Sequence, residues 1–358
     1  MAIFKKKAVE TVEASGENAI EQRETAGLSQ GQIVLKRFLR HRAAMISLVV
    51  LTSLVVFVYS ASGIHLGTEE KPISVPGWWH YSITDLPELE YESCPENIVG
   101  CPSLNLVPGT ANFGIGDHPF GQDDIGRDYF ALVMRGAEQS ILIMLVIGLI
   151  GATIGTVIGA ISGFFRGWVD AVLMRFTDLI ITIPTLIIGA VIGFRIGNLG
   201  VALLGIFLGL FAWTGLARLV RGEFLTLRER EFVDAARVAG ASNRRIIFKH
   251  ILPNAVGVII VSVTLLMSGA ILLETGLSFL GFGVVAPDVS LGSLISQYQD
   301  SFTSRPWLFW WPGLIIITIA LCINFIGDGL RDAFDPRQRR RITRRDREKA
   351  VKHEKVSA

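Results

Sequence analysis

Six long apolar runs constrain this chain more than any other feature, at 43–64, 140–164, 169–194, 199–220, 255–277 and 312–326. A helix needs about 20 apolar residues to cross a bilayer core about 30 Å thick. Backbone inside lipid must satisfy its own N–H and C=O groups, which leaves helices or closed barrels. Long unbroken apolar runs select helices. The expected fold is an all-α integral membrane protein with six transmembrane helices. Composition agrees, with 50% apolar and 18% charged residues against about 25% charged in soluble domains.

Basic residues set the orientation. Lys36, Arg37, Arg40 and Arg42 precede the first run, and Arg166 lies in the turn "FFRGW" between the second and third. Arg218, Arg221, Arg228, Arg230, Arg237, Arg244, Arg245 and Lys249 cluster between the fourth and fifth, and "RQRRRITRRDREK" follows the sixth. Six crossings put all of these on one side. The connection 65–136 is acidic and carries only Lys71, Arg127 and Arg135, and 283–311 is weakly charged. Both termini are therefore expected in the cytosol and 65–136 outside. The organisation is a polar tail (1–42), a first helix (43–64), an extracellular insert (65–136), a five-helix core (137–330) with cytosolic helices at 228–252, and a basic tail (331–358). The start of the chain has no apolar core of a secretory signal. A basic tail beside a span reads as contact with anionic lipid rather than with nucleic acid.

Within the runs, Gly151, Gly155, Gly159 and Gly163 recur every four residues, as do Gly189, Gly193 and Gly197. Such ridges let helix backbones approach closely, and they can also line a path. Polar groups at membrane depth are candidate pathway or gate residues. Asp178 stands three residues after Arg175, the spacing of a local ion pair. Glu274 lies about 30 Å up the helix that begins after Pro253. It either reaches out to the outer interface or touches the pathway. Pro184 is expected to bend the third helix. The acidic connection 65–136 either covers a neighbouring subunit or contacts an external protein, or Trp78, Trp79 and Tyr81 in it serve as an interfacial aromatic anchor. Cys94 and Cys101 are a possible disulfide if the insert lies in an oxidising compartment, and Cys322 reads as a packing residue.

The stretch "EFVDAARVAGASNRRIIFKHILPN" (231–254) is charge-dense between two apolar runs. Phe232, Ala235, Ala236 and Ala239 form a narrow helical stripe. Gly240 ends that helix, and Ser242 caps a second short helix over 243–252. Two short helices at an angle, with small residues at the bend, suit a plug for another protein's groove. Alternatively the element lies flat on lipid, but its alanines and glycine offer little bulk for that.

The pattern "DAARVAG…ILP" resembles the cytosolic loop of ATP-binding-cassette importer permeases, with Asp234 where that motif usually has Glu. "HPFGQDDIGRDYFALVMRGA", "RFTDLIITIPTLII" and "ETGLSFLGFG" resemble the C-type subunit of dipeptide and oligopeptide importers. The likeness runs from about 118 to 336 and includes the first span. It implies a type I ABC importer permease fold with an extracellular insert between helices 1 and 2, in a bacterial cell membrane. It further implies a heterodimer with a homologous permease, two partner ATPases that hold ATP and Mg, an extracellular solute-binding lipoprotein and a peptide substrate. Coupling to the ATPases falls on Glu231, Asp234, Ala235, Ala236, Gly240, Ala241, Ser242 and Arg244.

No lysine follows a glycine, so the chain has no P-loop of its own. No HExxH or other metal motif occurs, and neither a cofactor nor enzymatic activity is expected. A stand-alone secondary transporter or channel is the main alternative and predicts buried charge relays. A membrane enzyme would need a catalytic cluster that the sequence does not offer.

Overall fold

The computed structural model describes residues 30–68, 71–89, 99–105, 114–197 and 200–334. Helix α1 (Gln30–Arg40) meets α2 (Arg42–Ser62) at a break on His41. An antiparallel hairpin of β1 (Gly63–Thr68) and β2 (Lys71–Pro76) follows, with Gly63 opposite Pro76. A second short pair joins β3 (Leu104–Asn105) to β4 (Gly114–Ile115). The insert thus adds two small sheets, and the other described elements are helical.

Helix α3 (Tyr129–Phe165) runs for 37 residues. Next come α4 (Gly167–Thr182), α5 (Thr185–Ile196), α6 (Val201–Ala212), α7 (Thr214–Arg228) and the short α8 (Glu231–Val238). Helix α9 (Asn243–Phe279) spans another 37 residues. Helix α10 (Leu291–Tyr298) leads through a 3-10 turn, Gln299–Thr303, to α11 (Trp307–Phe334). Among the described residues, four helices (α2, α3, α9, α11) are each long and apolar enough to cross a membrane. The bent pairs α4–α5 and α6–α7 bring the number to six if each counts as one span.

Several boundaries differ from the expectation. The second span begins at Tyr129, not near 140, because the Asp128 carboxylate accepts from the Ala131 N–H at 2.8 Å and caps the helix. Arg135 and Glu138 look like loop residues in sequence but pair within the helix at 2.9 Å. The third span is two helices meeting at 77°, far more than a gentle kink. Pro184 separates them; it has no N–H for the helix ladder, and its ring restricts the residue before it. Ile183 accordingly has extended backbone. The fourth span bends by 43° at Trp213.

Helix α3 is central and touches α2, α4, α6, α7, α9, α10 and α11. Its glycine ridge lies against α7 in parallel register. A Cβ on Gly155 would sit 2.9 Å from the Trp213 carbonyl, on Gly159 2.5 Å from that of Ala217, and on Gly163 2.7 Å from that of Arg221. Real Cβ atoms do not approach so closely, so these three positions exclude any side chain. The second ridge does the same on α5, where a Cβ on Gly193 would overlap the Phe282 carbonyl. Both ridges are therefore packing surfaces.

Gly159→Leu is expected to destabilise the subunit by about 2–3 kcal/mol, as overpacking does. Gly215→Ala, where an added Cβ meets nothing within 4 Å, serves as the control. Thermal unfolding in detergent reads the difference; equal melting temperatures for the two variants would refute the packing role.

Candidate functional site

Helix α8 closes in a Schellman arrangement: Gly240 N–H donates to the Arg237 carbonyl at 2.9 Å and Ala241 N–H to that of Ala236 at 3.0 Å. Gly240 has φ +77° and open space where a Cβ would go, so glycine serves conformation there rather than packing. Ser242 Oγ then accepts from Arg245 N–H at 3.4 Å and starts α9. The expected second short helix is not separate, because residues 243–252 are the first turns of the fifth span. What sets them apart is a π-helical stretch, Ile246–Ile251, in which Leu252 N–H reaches the Ile247 carbonyl. Pro253 has no N–H to offer the Lys249 carbonyl, so the ladder widens before it. The Asn254 amide donates to the His250 carbonyl at 2.6 Å.

Val233 and Ala236 are the buried residues of α8. They enter a cluster with Phe164 of α3, Val220 and Phe224 of α7, and Ile246 and Ile251 of α9. The stripe read from sequence is therefore split: Ala236 turns inward, while Phe232, Ala235 and Ala239 face outward. Val238 is 91% exposed. Glu231, Asp234, Gly240, Ser242 and Arg244 are also exposed, and Ala241 is half-buried. Asp234 pairs with Arg237 at 3.0 Å. Around the mount, Arg166 pairs with Glu229 at 2.7 Å, and Arg228 donates to the Phe164 carbonyl with its guanidinium over that ring.

Two ion pairs tie α4 to α7. Asp170 takes Arg221 in a bidentate contact at 2.6 and 2.7 Å. Asp178 pairs with Arg218 at 2.5 Å, which corrects the expected local pair with Arg175. The partner lies 40 positions away and is met only because α4 folds back along α7.

Glu274 does not reach the interface. Its side chain is fully buried; it accepts from Ser140 Oγ of α3 at 2.8 Å and from Ser278 Oγ at 2.7 Å. Those hydroxyls in turn accept from Leu291 N–H at 3.3 Å and Val284 N–H at 3.1 Å. One carboxyl thus joins α3, α9 and the segment leading to α10.

The insert is pinned by networks that sequence reading missed. Asp128 accepts from Trp79 Nε1 at 2.7 Å and contacts His118 Nδ1 at 2.9 Å, and the Tyr81 ring stacks on His118. Trp79 and Tyr81 thus pack within the insert, while Trp78 is 56% exposed. Asp123 accepts from Arg127 Nε at 2.6 Å and from Tyr298 of α10 at 2.9 Å. Burial, then the Asp123 charge, pushes the Tyr298 phenol above its ordinary value. The dense "QDDIGRD" before a helix was the available signal, but its partner Tyr298 lies 175 positions on. Cys101 is disulfide-bonded and Cys322 is free; Cys94 lies outside the described residues.

Long apolar helices surround the glycine-backed α3, and the short exposed α8 is mounted at one end of the bundle. Residues 155–340 match the binding-protein-dependent transport system inner membrane component family, and residues 29–69 match the N-terminal transmembrane domain of oligopeptide transport permease C. The chain belongs to the first of these families and has the type I permease fold. Among its relatives is the oligopeptide transport system permease protein OppC of Mycobacterium bovis, 39% identical over 312 residues, covering 87% of this chain and 96% of the relative. Its counterpart in Haemophilus influenzae is 36% identical over 321 residues, covering 89% and 93%. An inward-facing MetNI methionine ABC transporter structure aligns with TM-score 0.48 at 21% identity, covering 57% of this chain and 96% of that one.

Glu274→Ala is expected to cost about 3 kcal/mol, because it strands Ser140 and Ser278 in an apolar setting. Glu274→Gln keeps the shape but brings two N–H donors to hydroxyls that already donate there, and should fall between. Thermal unfolding of the purified subunit orders the three proteins; an alanine variant as stable as wild type would show the network to be dispensable.

Proposed function

We propose that this permease forms half of the translocation path of an ATP-driven oligopeptide importer and takes its driving force through α8. The supporting observation is the split of α8 into two faces. Val233 and Ala236 key into α3, α7 and α9, while Phe232, Ala235, Val238 and Ala239 are left open. Ala235 and Ala239 let a groove approach closely while Phe232 and Val238 offer it apolar contact, and a helix keyed to three spans passes displacement to all of them. The partners in this reading are a homologous permease, two cytosolic ATPases holding ATP and Mg, and an external solute-binding lipoprotein that delivers the peptide. Oligopeptide is the cargo because the curated relatives named above carry that name over nearly the whole chain. Both termini and α8 then face the cytosol, in keeping with the basic flanks.

The buried state of Ala236 decides which residue tests this. A bulky substitution there damages the subunit itself, whereas Ala235 is exposed. Ala235→Arg in the full complex is expected to lower ATPase co-purification and ATP-driven peptide uptake together. Blocking a docking hot spot costs about 2 kcal/mol or more, roughly thirty-fold in affinity, and the melting temperature of the subunit should not change. Wild-type ATPase retention and uptake in that variant would end the proposal.

On the outer side, Cys101, which is disulfide-bonded, takes Cys94 as its partner in this proposal. Alkylation of the denatured, unreduced protein should then label one of the three cysteines, and all three after reduction. Labelling of all three before reduction would refute the pair.

A further inference from the structure

Helix α1 presents three distinct strips, one packed, one apolar and exposed, and one basic. Val34 and Phe38, four residues apart, pack with Ala44 of α2 and with Ile326, Leu330 and Ala333 of α11. Leu35 and Leu39 occupy the next strip round the helix and are 57% and 53% exposed. Lys36 and Arg40 lie about 100° further on, since each residue turns the helix by about that much, and both are exposed. From Gln30 to Arg42 there is no acidic residue, while Lys36, Arg37, Arg40 and Arg42 are all basic.

The depth of this helix is set by its neighbours. Helix α2 has 21 residues, about 32 Å, which suffices to cross the hydrocarbon core unaided. His41 Nδ1 accepts from Ala44 N–H at 3.1 Å and starts α2, and its Nε2 lies 3.5 Å from Asp332 of α11. The joint between α1 and α2 is thereby held to the end of α11, at the edge of that core. On α2, Ile46 and Val49 are likewise 64% and 60% exposed.

We infer that α1 lies in the membrane–water interface, with Leu35 and Leu39 among acyl chains and Lys36 and Arg40 at the headgroups of anionic phospholipid. An apolar strip beside a basic one, on a helix joined end-on to a span, is the pattern of an interfacial helix. Four basic residues and no acidic one over 30–42, with Asp332 of α11 the carboxylate at the joint, make the headgroup preference anionic. The choice of leaflet rests on the proposed cytosolic position of α8, because four crossings separate α1 from α8 if each bent pair spans. The depth does not rest on it.

The test uses the assembled importer in nanodiscs of phosphatidylcholine, with or without phosphatidylglycerol. Nitroxide labels are placed by Leu35→Cys, Lys36→Cys, Leu39→Cys and Arg40→Cys, one at a time, on a Cys322→Ser background. Labels at 35 and 39 should be relaxed by oxygen and shielded from an aqueous nickel chelate, and labels at 36 and 40 the reverse. Equal nickel access at all four places α1 in water. Shielding of 35 and 39 from both agents means that protein covers the strip, from residues 1–29 or a partner subunit. Either result overturns the inference. In a second arm, native mass spectrometry counts retained phosphatidylglycerol in the Lys36→Gln and Arg40→Gln variants. A charge at an anionic surface is worth about five-fold in binding, so retention should fall by about that factor for each; unchanged retention removes the headgroup assignment. Should α8 prove to hold no ATPase, the depth pattern at 35 to 40 stands unaltered.

Discussion

Helices surrounded by lipid gain little from burying apolar side chains against each other, so close backbone contact must hold them together. In this permease that contact is the parallel approach of α3 and α7 over Gly155, Gly159 and Gly163, where the partner carbonyls leave no space for a Cβ. Helix α6 uses the same device from its own side, with Gly205 against Val146 and Gly209 against Ile150. The whole bent fourth span is thereby laid along α3. Phe164, Val220 and Phe224 come together at its end, and that cluster is the seat of α8.

Electrostatics then fixes what packing leaves free. Helix α4 is mostly exposed, with Thr177 its buried residue, so apolar contact cannot hold it in place. Its carboxylates, Asp170 and Asp178, meet Arg221 and Arg218 of α7. The pairs are partly exposed, and isolated surface pairs contribute little. The bidentate Arg221 contact, reinforced by Ser162, is the stronger of the two. These contacts join the ends of α3, α4 and α7 around the cluster on which α8 sits.

At the opposite end the same chain adds polar networks to its close glycine contacts. Glu274 gathers hydroxyls from α3 and α9, Asp128 holds Trp79 and His118, and Asp123 reaches Tyr298. These acids accept hydrogen bonds from partners far along the chain, which makes the order of the insert and α10 depend on the bundle beneath. Buried polar groups of this kind must be satisfied or they destabilise.

The apolar runs, the glycine spacing and the small-residue character of α8 were legible in the sequence, because each is a local pattern repeated at the helical period. So was a bend at Pro184, since a missing N–H is a property of one residue. Its 77° size was not, nor was the early start of α3 at Tyr129, because polar residues read as loop until their partners are known. Asp178 looked local because Arg175 is three positions away; Arg218 wins because α4 folds back on α7. Glu274 looked exposed because length alone places it near the outer end, and only the facing Ser140 shows it buried. Likewise Ala235 and Ala236 are the same residue type in the same helix, and only the tertiary packing turns one inward and leaves the other free. Sequence by itself determined that the chain crosses a membrane and carries a compact charged helix between spans, since those follow from backbone solvation and periodicity. Which groups meet, and which face of α8 stays open, depended on the folded bundle, because a long-range contact is a property of two positions and no single stretch contains it.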